Sequence, residues 1–134
     1  MKTTASLGLP FYQSLGHLFY AMAAIDNNVR DVEIAKVYQS VHQNWLQMDN
    51  LTDAFGEDAA HQIEIVFHWL EGNVYDPEDS FKAFTEYYKE HTPQFTNEIK
   101  NIITKTTSAI AASFSGLNKA ELGLMAKLSL LFKK

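Results

Sequence analysis

The stretch Ala21–Glu33 reads AMAAIDNNVRDVE, and it has an echo, AIAASFSGLNKAE, at Ala109–Glu121. An ungapped offset of 88 residues lays Ala21 on Ala109, Ala23 and Ala24 on Ala111 and Ala112, Asn28 on Gly116, and Glu33 on Glu121. Each copy is an Ala-rich helix end, a short Asn/Gly/Ser turn, and a new helix with a Glu in its first turn. Small side chains let a neighbouring helix come close, and Asn and Gly tolerate the left-handed backbone of a tight corner. Two helix-turn-helix units therefore bracket the middle of the chain and predict an all-α fold.

The flanking segments fit that prediction. A helix is expected over about Pro10–Ile25, with Pro10 in the first turn, where its missing N–H has no helical partner. Phe11, Leu15, Leu18, Met22 and Ile25 make one apolar stripe, and Gly16 marks a close approach. His17 lies beside that small-residue side and reads as a hydrogen-bonded structural residue. A second helix is expected over about Asp31–Leu46, with Ile34, Val37, Val41 and Trp45 as its stripe, followed by a polar connection, Gln47–Gly56. In a third, over about Asp58–Glu71, Ala59, Ile63, Val66, Phe67 and Leu70 face one way. His61, Glu64, His68 and Glu71 face the other, which a helical wheel makes the solvent side.

Gly72-Asn73 ends that helix, and Asp76-Pro77-Glu78-Asp79 starts the next with a capping acid, a first-turn Pro and further first-turn acids. This fourth helix, about Pro77–His91, is expected to bury Phe81, Phe84 and Tyr88. A fifth runs from about Pro93–Gln94 to Phe114. Asn118-Lys119-Ala120-Glu121 resembles a capping box and opens a sixth, which ends in Lys127–Lys134. No alternating strand pattern of useful length competes. The expectation is one domain over residues 1–134, a compact bundle of about six main helices with its core over about 11–132.

Composition narrows the function classes. The 134 residues contain no Cys, which excludes disulfides and thiolate metal sites. The net charge of −5 is unevenly spread: residues 49–90 hold 11 Asp/Glu against two Lys, and residues 100–134 hold six Lys against one Glu. Either the two regions neutralise each other across the bundle, or an acidic face attracts cations or a basic partner. The acidic balance argues against nucleic-acid binding, which needs clustered Lys and Arg. No stretch approaches the ~18 apolar residues of a membrane span, and the first residues lack the pattern of a secretory signal. A cytoplasmic protein with no membrane insertion is expected. Phe, Tyr and Trp total 17, more than so small a core obviously needs, so Trp45, Trp69, Tyr87 or Phe132 would mark a contact patch if exposed.

No reaction is legible. There is no Cys nucleophile, no Ser in a G-x-S-x-G context, no phosphate-cradling Gly loop, and no Glu-x-x-His pair on two helices. The protein is expected not to be an enzyme. The acidic cluster Asp49, Asp53, Glu57 and Asp58 reads as a solvated loop in which Asp58 caps the third helix.

The pattern A-x-A-x-D, turn, four or five residues, E resembles the signature of tellurite-resistance protein B-like (TerB-like) domains. So do the blocks FYQSLGHLFYAMAAIDNNV, DAAHQIEIVFHWL and AIAASFSGLNKAELGLMAKLSLL, in that order. The resemblance implies a compact all-α module in tellurite resistance and chemical-stress response, working through other stress-response proteins. It also implies a divalent cation, calcium or similar, on Asp26 and Glu33. The loop DNNVRDVE offers Asn28 and Asp31 as further oxygen donors, although it lacks the frame of an EF-hand. This chain departs from the pattern in three places. Phe114 stands in the second copy where Asp26 stands in the first, Asn27-Asn28 replaces the usual Gly, and Arg30 would repel a cation. On the residues alone, a capping role is favoured: Asp26 helps the turn and Glu33 hydrogen-bonds the start of the next helix. A metal-free scaffold or homodimer is the alternative function.

Overall fold

The computed structural model describes residues 9–25, 35, 38, 39, 56–113 and 119–133. Among these residues there are five α-helices and no strand: α1 Leu9–Ala24, α2 Gly56–Gly72, α3 Pro77–Glu90, α4 Asn97–Ser113 and α5 Lys119–Lys133. A turn of 3-10 helix, Thr92–Gln94, links α3 to α4. The fold is all-α, as expected. Of the helix expected over Asp31–Leu46, Ala35, Tyr38 and Gln39 are helical, and its other residues lie outside the described residues. No helix among the described residues is long and apolar enough to cross a membrane.

α1 is the axis of the bundle and packs against each of the other four helices. The expected single stripe understates this. Phe11, Leu15, Leu18 and Met22 are buried, but so are Tyr12, Phe19, Tyr20, Ala21, Ala23 and Ala24. Only Pro10 and Gln13 are exposed along the described helix, with His17 half-buried on the same line. A helix that is apolar nearly all round belongs inside. Gly16 sets the distance to α2. A Cβ built on it would lie 2.8 Å from both Cβ and Cγ1 of Val66, and 3.1 Å from the Ile63 carbonyl oxygen.

Much of the aromatic surplus is core. Around the first turn of α1, Phe11 lies 5.3 Å from Phe95, ring centre to ring centre. Phe95 in turn meets Tyr88 at 4.9 Å and Phe84 at 5.9 Å, and Tyr88 meets Phe132 of α5 at 5.4 Å. Tyr87 and Phe132 are half-buried members of this cluster, not an exposed patch. Such pairs add roughly 0.5–1.5 kcal/mol each beyond area burial.

The helix ends follow local chemistry, with two corrections. The start of α3 is as read: the Glu78 N–H donates to Asp76 Oδ1 at 3.4 Å, and Pro77 occupies the first turn. α4, however, begins at Asn97 and not near Pro93, because Pro93 is taken into the 3-10 turn and Thr96 is the cap, its Oγ1 accepting the Ile99 N–H at 3.2 Å. α2 already includes Gly56 and Glu57, so Asp58 lies within the helix and is not its cap. Of the predicted face of α3, Phe84 and Tyr88 are buried and Phe81 half-buried.

Three buried hydroxyls of α1 and α4 are satisfied within their own helices. Ser14 Oγ donates to the Phe11 carbonyl at 2.6 Å, Thr106 Oγ1 to Ile102 at 2.8 Å and Thr107 Oγ1 to Thr104 at 3.0 Å. Bonding back to the preceding turn lets these residues sit on buried helix faces.

The offset of 88 residues can be compared only over α1 and α4, where α1 is buried nearly all round and Ala21 is buried but Ala109 exposed. It carries the first residue of α1 onto the first of α4, and the buried Ile99, Ile103, Thr106, Thr107, Ile110 and Ala111 fall on the buried Phe11, Leu15, Leu18, Phe19, Met22 and Ala23. The two turns, Asp26-Asn27-Asn28 and Ser115-Gly116, lie outside the described residues.

Candidate functional site

The corner between α2 and α3 concentrates the least ordinary features of the described chain. α2 ends in a Schellman motif, with the Val74 N–H donating to the Glu71 carbonyl at 3.2 Å and the Tyr75 N–H to the Leu70 carbonyl at 3.0 Å. The residue that turns left-handed is neither Gly72 nor Asn73 but Val74, at φ 50°. Gly is the usual occupant, and a β-branched residue there is an outlier. Asn73 instead returns its side-chain Nδ2 to the Trp69 carbonyl at 2.8 Å. Val74 is 84 % exposed, and Ile65 and Trp69, one turn apart on α2, are each 57 % exposed.

Behind this corner, where α1 ends, is an open cleft of about 510 Å³ lined by Tyr20, Ala24, Glu71, Val74, Tyr75, Asp76 and Pro77. Tyr20 donates its hydroxyl hydrogen to the Tyr75 carbonyl at 2.6 Å, which ties α1 to the corner. Burial, and then the charges of Glu71 and Asp76, hold that hydroxyl above the usual tyrosine range. Both carboxylates are thus felt at one point, and the phenol remains a neutral donor. The cleft offers two negative charges, aromatic rings and an apolar rim, which suits a cationic guest such as a Lys or Arg side chain.

His17 and Ser80 lie beside the cleft. His17 Nδ1 is 2.9 Å from Ser80 Oγ, and its ring meets Tyr75 edge-on at 5.8 Å. That is the separation of a nucleophile and its base. Ser80, however, has no exposed surface, so no substrate reaches its oxygen. The pair is a buried link between α1 and α3, and His17 has the hydrogen-bonded role expected of it.

The second charged face reads differently from the helical wheel. His68 is exposed, but Glu64 and Glu71 are half-buried. Tyr38 lies over this side, with its hydroxyl 3.5 Å from His68 Nδ1 and its ring 5.9 Å from Phe67. Burial, then Glu64 and Glu71, raise the Tyr38 hydroxyl as well. Much of the open surface of α2 is therefore carried by Ile65 and Trp69, not by the charged face alone.

Asp26, Asn28, Asp31 and Glu33 lie outside the described residues, as do Asp49 and Asp53. Among the described residues no group of three or more His, Asp or Glu comes together to hold a metal. Sequence reading missed Tyr20, Tyr75, Ser80 and the strain at Val74. Asp76 and Pro77 were legible as a helix start, and that start is one wall of the cleft.

No family model, curated protein or solved structure matches this chain.

Proposed function

We propose that this chain is a non-catalytic stress-response module of the TerB-like kind that works by docking a protein partner at the α2–α3 corner. The observation that supports it most is the exposed Trp69, flanked by Ile65 and Val74 at the edge of a cleft that holds Glu71 and Asp76. Exposed aromatics beside a concave, charged site are typical anchors of binding. The occupant with matching chemistry is a basic side chain of the partner, seated between the two carboxylates while apolar neighbours cover Trp69.

A photo-crosslinking residue at position 65, in the protein's own cells under tellurite stress, tests this. One discrete adduct is expected, and Glu71→Lys should abolish it while leaving the melting temperature unchanged. Failure to form any adduct, or an adduct indifferent to Glu71→Lys, overturns the docking reading. An adduct of twice the chain's own mass favours the alternative, a metal-free homodimer, and light scattering would then show a dimer that Trp69→Asp dissociates.

The resemblance also carries a divalent cation, calcium or similar, to Asp26 and Glu33. Titration of chelator-treated protein with calcium, magnesium, manganese and zinc should show saturable binding that Asp26→Ala and Glu33→Ala weaken. Flat titrations for every metal would remove the cation and leave the docking reading standing.

A further inference from the structure

At the open end of the α4–α5 hairpin, far in sequence from the acidic corner, a cleft of about 570 Å³ is built from different chemistry. Its size falls within the roughly 300–1,000 Å³ of small-molecule sites. Lys100 and Asn101 of α4 and Ser129 and Lys133 of α5 line it, two cations and two neutral hydrogen-bonding groups. No acidic side chain is among the described residues that line it. The floor is apolar and comes from Met125, Leu128 and Phe132.

Lys100 is positioned before any ligand arrives. Its Nζ donates to the Phe132 carbonyl at 3.0 Å, and it lies 5.7 Å from the ring centres of both Tyr88 and Phe132. An ammonium has three N–H donors, so this arrangement leaves two for a guest.

We propose that this cleft binds an amphiphilic anion: a carboxylate or phosphate headgroup held by Lys100 and Lys133, with an aliphatic tail over Met125, Leu128 and Phe132. Charge selects the head, because two ammonium groups, Lys100 half-buried and Lys133 exposed, favour an anion over an isosteric cation or neutral group. The apolar floor selects the tail, at about 0.8 kcal/mol per buried methylene. The inference is independent of the docking corner and of any metal.

Calorimetric titration of the full chain with decyl phosphate and with decanoate, below the concentrations at which they form micelles, tests it. Both should saturate at one site. Lys133→Glu and Ser129→Glu, at exposed positions, should each weaken binding by about tenfold or more without moving the melting temperature. Lys100→Gln should do the same but with some loss of stability. Equal binding of decyltrimethylammonium overturns the claim for an anion. Inorganic phosphate binding as tightly as decyl phosphate overturns the claim for a tail. Co-sedimentation with phosphatidylglycerol vesicles, without binding of monomeric amphiphile, replaces the pocket with a membrane-surface contact. Absence of saturable binding, or binding that both Glu variants leave intact, also ends the proposal.

Discussion

Gly16 and Val66 are packed so closely that the first carbon of any side chain on Gly16 would overlap Val66, at 2.8 Å from two of its carbons. Neither neighbour is a flexible side-chain end: Val66 is β-branched, and the third contact, the Ile63 oxygen, is backbone. Gly16→Ala should therefore cost about 1–3 kcal/mol through overpacking, despite the better helix propensity of Ala. Val66→Ala in the same chain should restore part of the loss, and a double-mutant cycle by urea denaturation measures the coupling. Additive effects would show that α1 and α2 do not meet at this pair.

Val74→Gly should stabilise the chain. The left-handed backbone at Val74 costs a side-chain-bearing residue about 1–2 kcal/mol that Gly does not incur. Part of this returns as extra freedom of the unfolded chain, which leaves a gain of about 1 kcal/mol, or roughly 4 °C in thermal melting. If Val74 also lies under the partner, the same variant will be more stable and bind less well, as expected where strain is kept for function.

Tyr88→Phe should be neutral or stabilising by up to about 1 kcal/mol. The Tyr88 hydroxyl is buried without a hydrogen-bond partner among the described residues, so the variant removes a desolvation cost and keeps the ring contacts with Phe84, Phe95 and Phe132. A loss above 1 kcal/mol in chemical denaturation would mean that the hydroxyl is satisfied in solution.

Burial holds the His17 imidazole below its ordinary value of 6.5, while Ser80 accompanies its Nδ1. Below that value the unfolded chain takes up a proton that the native chain resists, so the native state loses stability as pH falls, until the folded value is reached. At higher pH both states are neutral and this contribution is complete. Urea midpoints measured between pH 8 and 5 should fall most just below pH 6.5, and His17→Gln should flatten that part of the curve. An unchanged slope in the variant would assign the effect to other groups.

Several of these features were legible before folding and several were not, for reasons that differ by residue. Asp76-Pro77 announced the start of α3 because capping is settled within one turn by neighbouring atoms. Gly16 announced a close approach, since no other residue type leaves that space. Pro93 misled about α4, because its fixed φ suits a 3-10 turn as well as a helix start. Val74 was invisible, since nothing in Gly-Asn-Val indicates which of the three bends to the left; Asn73 was drawn away by its bond to Trp69.

Helix content and the cap at Asp76 follow from interactions a few residues long, so the order of amino acids was sufficient for them, whereas Gly16 announced a close approach but not that Val66 would be its partner. α1 carries no Asp, Glu, Lys or Arg and is apolar nearly all round, which fits it for the centre, but which helices would pack around it was not so decided. The clefts likewise exist only because folding brings Tyr20 to Tyr75 and Lys100 to Phe132, pairs 55 and 32 residues apart. Local pattern carries no record of such encounters, since their strength depends on burial and on charges supplied by distant parts of the chain.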